Sequence, residues 1–535
     1  MADSTPLMLI RGPTIRRGTE DASLVRSQLM RQRYREKRLR VLRKDTHTNN
    51  IPINIQCYEN ETQALLAGTN LRQISPCRID PFLSDDRRTG YFDFLLHNCL
   101  HVVLPTARPD GFAERCLQAY LHPDRDPMVI QSLFYSATLS LHALPILRGT
   151  QNFIVAPGLA SSAVIPPTHH LQLKGSVLNR IRQKLPTMNG NNPHDDIIDD
   201  ILLSILYLAA NENLDRILPP EKSPFLPPFR RLQSMEFYGS CEFQPLHWQT
   251  VQHIISQRGG LSTVKLYGLA WLICISGLVV AVNADCKPAF PLIYPDGKPF
   301  VYRAPLQALA VRQPPRHVTL RNFGFQQLAL LHPPVKGTII RVFLDLTEMT
   351  QALQYLAGQP CGSRLLTLIG DTRSNIMHRL CSLPDQTDRP TSIFHKRTCT
   401  AEDQARATTV YIVSRKTALL YSAHVVLPLP QTSLIRRKMT LEIHEYMLLL
   451  KGQRPEAELE ILLWCSIVAG ICADAMLAIQ SWFVREAREL CDGLKITTWD
   501  ELSETLQSFA WLDCASDEAG KALWSQIQLC DGSTI

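Results

Sequence analysis

The chain has 535 residues, 45% hydrophobic and 20% charged, with a formal net charge of +7. That composition describes a folding, core-burying polypeptide and excludes a low-complexity or polytopic membrane chain. The fifteen cysteines include no C-x-x-C pair, so neither a disulfide framework nor a zinc ribbon is indicated and the thiols read as buried small hydrophobes.

The N-terminal end, MADSTPLMLIRGPTIRRG, has no long apolar run and no small-residue cleavage site, which points away from secretion and towards an intracellular protein. The charge is concentrated here. Residues 11–44 hold twelve Lys/Arg against Glu20, Asp21 and Glu36, a local net of +9, so the rest of the chain sums to −2. The dense part, RSQLMRQRYREKRLRVLRK, has nine cations and one acid in nineteen residues, with Leu29, Met30, Tyr34, Leu39 and Leu42 interleaved. Its helix propensity is good. Such an arm neutralises phosphates, guanidinium groups pairing with two oxygens at once, or serves as a nuclear-import signal; the plain alternative is a solvated tail. No leucine heptads follow Lys44, so a basic zipper is not supported.

Residues 1–45 are therefore taken as the arm, 46–77 as a polar linker, and 78–529 as the body. From Tyr91 apolar residues recur at helical spacing, broken by Pro, Gly and Asn clusters. The spacing predicts helices over 91–103, 112–122, 127–144, 168–184, 195–214, 235–257 and 262–283. A proline-rich irregular stretch at about 286–335 is expected to wrap over the surface. Helices are then predicted over 339–357, 362–383, 403–425, 433–451, 456–474, 478–492, 498–509 and 515–528. Without sustained period-2 alternation, the fold class is all-α.

Two stretches raise other possibilities. Between Lys265 and Asp285 lie nineteen uncharged residues, enough as a helix to reach across about 30 Å of hydrocarbon. A many-helix body also needs a central helix that is apolar all round, and burial is the expected fate. HDDIIDD contains D-D-x-x-D at Asp195, Asp196 and Asp199, a pattern similar to the aspartate-rich motif with which terpene synthases hold magnesium and diphosphate. No matching second motif is present, and carboxylates at a helix start also suit its dipole. His122 and Asp126 form H-x-x-x-D, similar to an acyltransferase histidine motif. Asp126 before Pro127 is equally an N-cap opening MVIQSLFYSATLSLHAL, the preferred reading. Neither G-x-S-x-G nor a phosphate-binding glycine loop occurs.

Several segments, in order, resemble the fungal-specific transcription factor domain proteins, in particular the group found beside biosynthetic gene clusters. They are LVRSQLMRQRYREKR, RIDPFLS, RDPMVIQSLFYSATLSLHAL, HWQTVQHIISQRGGLSTV with the apolar run after it, LLWCSIVAGICA, SWFVREARELC and TTWDELSETLQSFAWLDCASDEAGKALW. The resemblance implies a large helical regulatory domain in a nuclear, non-catalytic transcriptional regulator. It implies no catalytic residue, metal or cofactor, and no membrane. It also implies promoter DNA and other transcription regulators as partners. Contact with DNA, or nuclear import, would fall to Arg31, Arg33, Arg35, Lys37, Arg38, Arg40, Arg43 and Lys44. Many such regulators begin with a binuclear zinc cluster, yet residues 1–56 contain no cysteine, which removes that mode of sequence reading. A helical scaffold that never touches DNA is the alternative, and an enzyme of terpene- or acyl-transfer type the third.

The local chemistry fits this placement. Gly259 and Gly260 are expected to end a helix in the left-handed region. Trp464, Trp482, Trp499, Trp511 and Trp524 gather near the C-terminus and are expected in the core.

Overall fold

The structure is a computed structural model, and it describes residues 95–147, 167–188, 195–211, 223–239, 243–311, 324–395, 399–429, 433–450, 452 and 454–530. Among these residues the regular structure is helical, and pairing of extended chain is confined to two isolated bridges, Ile293 with Pro299 and Val335 with Phe394. The all-α expectation therefore holds.

The first helical stretch, residues 95–107, loosens into a π-helical turn at Cys99–Val103 before Leu104–Ala107. The longer helices follow as α1 (Phe112–Tyr120), α2 (Met128–Leu147), α3 (Pro167–Met188), α4 (Asp195–Asn211), α5 (Pro245–Gln257) and α6 (Leu269–Ala284). Then come α7 (Gly337–Leu356), α8 (Ser363–Ser382), α9 (Ala401–Val425), α10 (Ser433–Leu448), α11 (Glu456–Cys472), α12 (Leu477–Leu494), α13 (Trp499–Gln507) and α14 (Asp513–Leu529). In the N-terminal half α2 packs on α3 and α4, and α4 on α5; in the C-terminal half α9 packs on α10 and α11, and α11 on α12 and α14. Helix α6 joins the halves, touching α4 on one side and α8 on the other. A single hydrophobic core runs from Leu95 to Ile527.

The termini of these helices follow local rules. Thr498 and Glu501 form a reciprocal capping box at the start of α13, the Thr498 hydroxyl accepting from Glu501 N at 3.3 Å and the Glu501 carboxylate accepting from Thr498 N at 3.0 Å. At the end of α5, Gly259 and Gly260 have φ of 87° and 111°, and Gly260 N donates to Ile255 O at 2.9 Å. One expected helix divides. The span 235–257 is broken into Met235–Tyr238 and α5, because Pro245 has no N–H to donate and takes the first position of α5.

The apolar run after Lys265 is α6, and it is interior. Ile273 is 0% exposed and Val279 1%. Its sixteen residues rise about 24 Å at 1.5 Å each, and no helix among the described residues is long and apolar enough to cross a membrane. Gly268, at φ 81°, starts α6 against the Phe112 ring, and the Trp248 ring lies across Gly277. The helix is apolar on every side because α4, α8 and the following strap all cover it. That strap is the first part of the proline-rich stretch: Cys274 Sγ donates to Pro291 O at 2.9 Å, His378 Nε2 of α8 meets Phe290 O at 2.9 Å, and Tyr302 OH donates to Asp345 of α7 at 2.8 Å. The later described part of the stretch does not lie over the surface as expected: Gly324–Ala329 forms a 3-10 turn against α7 and α11, and Phe325 is 0% exposed.

Candidate functional site

The eight arm cations, Arg31, Arg33, Arg35, Lys37, Arg38, Arg40, Arg43 and Lys44, lie outside the described residues. The other singled-out residues lie among the described ones. Asp195 opens α4. Asp196 is exposed and pairs with Arg125 at 3.2 Å. Asp199 is fully buried: Arg258 donates to Oδ1 at 2.6 Å, and the backbone N–H groups of Lys265 and Leu266 donate to Oδ2 at 2.7 and 2.8 Å. This carboxylate thus ties the segment between α5 and α6 to α4, a tertiary role beyond the helix-dipole one expected of it. Its neighbour Asp200 is buried too, accepting from Arg125 and from Asp126 N, both at 3.2 Å. Burial pushes the Asp200 carboxyl up to about 6, against the pull of these donors. Asp196 and Asp200 thus share Arg125 while Asp199 turns to Arg258 and the segment before α6, and no group of three or more metal-ligating side chains converges among the described residues.

His122 and Asp126 do not form a dyad. The imidazole is exposed and its Nδ1 accepts from Asp124 N at 3.4 Å. Asp126 Oδ1 accepts from Met128 N at 3.0 Å, capping α2 as expected, while Arg180 and Lys184 of α3 approach its carboxylate at 3.4 and 3.2 Å. The tryptophans divide. Trp464 and Trp511 are buried, Trp464 Nε1 donating to Ala510 O at 3.0 Å beneath the Phe325 and Phe509 rings. Trp482, Trp499 and Trp524 are half-buried and border the core.

A polar interior cluster lies where the two halves meet, and the sequence reading missed it. Arg108, after the first helical stretch, makes a bidentate pair with Asp371 of α8 at 2.5 and 2.9 Å. Burial opposes the Arg108 charge, but the Asp371 carboxylate outweighs it and the guanidinium is held above its ordinary range. Two residues on, Arg373 is 1% exposed and has only neutral acceptors: Gln233 Oε1 at 2.8 Å, Phe229 O at 3.1 Å and Leu232 O. Desolvation lowers it to about 9, which still leaves it charged at neutral pH. Those acceptors belong to a strained turn in which Phe229, Gln233 and Ser234 have φ of 56°, 61° and 52°. Gly370 leaves room for the Gln233 side chain, whose amide nitrogen donates to Ser374 at 2.8 Å. The adjoining cleft, edged by Arg108, Leu232, Trp271 and Thr367, has a volume of about 10 Å³, space for a single water. The cluster fixes register between halves; its chemistry is that of a clamp. A signal for it exists in the sequence: Arg373 shares the α8 face of Ile369, Ile376 and Leu380, a charge where the period demands an apolar residue.

Two further buried charges, one cation and one carboxylate, do similar work. Lys416 of α9 is 1% exposed and bridges Asp285, at the end of α6, to Glu442 of α10 at 3.0 and 2.6 Å. Asp345 of α7 gathers Tyr302, Arg341 and Arg379, and the Arg379 guanidinium sits 4.4 Å over the Tyr302 ring. Comparison of the chain with family models, with curated proteins and with solved structures finds no match.

Proposed function

We propose that this chain is a nuclear transcriptional regulator, acting on a fungal secondary-metabolite gene cluster, with a basic arm and a non-catalytic helical body. One observation carries the reading: a net +9 on residues 11–44 beside −2 on everything else. A segment of that density attracts polyanions through counterion release, without reading sequence. Arg31, Arg33, Arg35, Lys37, Arg38, Arg40, Arg43 and Lys44 supply the phosphate contact or the import signal. The helical body offers surfaces to other regulators, which would provide promoter choice. The ordered resemblance of segments supports the class, and an all-α body is what that class requires.

Neutralising the eight cations to Gln tests the proposal. Nuclear accumulation and retention on DNA are both expected to fall, with the in vitro salt slope of DNA binding reduced by several units. Unchanged localisation and unchanged retention would reduce the arm to a solvated tail. The absence of cysteine from residues 1–56 favours one second reading, a co-regulator tethered by another factor. Chromatin immunoprecipitation separates the two: enrichment that needs the arm supports direct contact, and enrichment that needs a second protein supports tethering.

A further inference from the structure

The two ends of the chain carry opposite charge. Residues 496–520 contain Asp500, Glu501, Glu504, Asp513, Asp517 and Glu518 and no Lys or Arg, facing nine cations and one acid at 26–44. In the fold these six acids lie on one pair of adjacent helices. A Cβ on Gly520 of α14 would stand 2.7 Å from the Trp499 ring of α13, and Gln507 Nε2 donates to Asp513 at 3.0 Å. Leu502, Leu506, Leu523 and Ile527 turn into the core. The opposite side carries Asp500, Glu504 and Glu518, all exposed and without an ion-pair partner among the described residues.

The same helices bear half-buried Trp499 and Trp524, and Leu529 is 82% exposed. A cation already rests there: Lys521 Nζ lies 5.6 Å over the Trp499 ring and 3.4 Å from Asp517. Burial above all, with a smaller push from the Asp517 charge, raises the Asp513 carboxyl against the Gln507 hydrogen bond.

We propose that this aromatic, acidic face of α13 and α14 is a docking surface for the chain's own basic segment, residues 26–44, and that a polyanion competes for that segment. Charge complementarity selects the occupant. The arm's arginines pair with carboxylates and stack on tryptophan, and its interleaved Leu29, Tyr34 and Leu39 match the apolar border. The fifty residues between Lys44 and Leu95 permit a span of up to about 165 Å, so the arm reaches any part of the body. Tethering raises its effective concentration to the millimolar range, which makes individually weak surface pairs count together. Competition by DNA rests on the function proposed above; the docking itself does not.

The full-length chain tests this by zero-length carbodiimide cross-linking at low salt, using equal amounts of ¹⁵N-labelled and unlabelled protein. Cross-links from Lys37 or Lys44 to Asp500, Glu504 or Glu518, within one isotopic population, are expected. Their absence, or arm cross-links spread over other acids, overturns the docking; mixed-isotope pairs overturn the intrachain form in favour of a second copy. In parallel, a fluorescent 20-base-pair duplex is titrated into D500N/E504Q/E518Q and into a control of equal charge change, E402Q/E445Q/E489Q. Binding about fivefold tighter in the first set and less than about twofold tighter in the second is expected from release of weak exposed pairs. Equal gains in both sets overturn the proposal. Cross-links as expected in a wild-type chain that does not bind the duplex would support the docking and refute the nucleic-acid reading alone.

Discussion

Asp199→Asn is the most informative single substitution in the helical body. The wild-type carboxylate takes three hydrogen bonds of 2.6–2.8 Å from Arg258 and from the Lys265 and Leu266 amides, at a fully buried position. An asparagine keeps one oxygen, so either the two amides or the guanidinium loses its acceptor, and the new NH₂ faces a donor. Arg258, 10% exposed at its side chain, then loses its short charge-assisted contact, while the Thr263 carbonyl at 3.0 Å still accepts from it. Removing one partner of a buried pair costs about 3–5 kcal/mol. Against a typical total of about 5–15 kcal/mol, that is a large fraction.

Urea unfolding of wild type, D199N, R258M and the double variant measures the cost, and the double-mutant cycle gives the coupling. The double variant is expected to recover part of the loss, since no charge is left buried alone. D196N, at an exposed carboxylate, is expected to stay within about 0.5 kcal/mol of wild type. A D199N loss under about 1 kcal/mol with no coupling to Arg258 would refute the architectural role. A magnesium clamp makes the opposite forecast, in which Mg²⁺ stabilises wild type and D196N abolishes that effect.

Other outcomes follow from the same geometry. Asp200 titrates near 6 when folded and near 3.9 unfolded, so the native state binds the extra proton between those values and stability falls as pH rises from about 4 to 6; D200N is expected to remove that slope in thermal melts. His424, lowered to about 3 by burial foremost, stays neutral in the fold while the unfolded chain protonates near 6.5; stability is therefore lost as pH falls below about 6.5, by up to about 1.4 kcal/mol per unit, and H424F melts should lack this component. Gly268→Ala places a Cβ 2.9 Å from the Phe112 ring at φ 81°, and a loss of about 2–4 kcal/mol in urea unfolding is expected from backbone strain and overpacking together.

The helical architecture was legible because it rests on local signals. The 3.6-residue period, Thr498 with Glu501, and the Gly259–Gly260 pair act over a few residues, so their meaning survives without knowledge of the fold. The helix expected across 235–257 failed where Pro245 restarts the chain, a local signal that apolar spacing had masked. The burial of α6 was legible in part: its length and composition allow a bilayer or a core, and only its packing between α4 and α8 decides.

The sequence by itself determined the segregation of charge, since counting Lys and Arg along a chain needs no coordinates, and the helical class, since amphipathic spacing is a property of neighbours. Tertiary structure alone decided what the interior charges do. Arg108 finds Asp371 across 263 positions, Arg258 finds Asp199 across 59, and Lys416 finds Asp285 across 131. Partners that far apart leave no local trace, because what makes them partners is a shared low-dielectric space that exists only after the helices have packed.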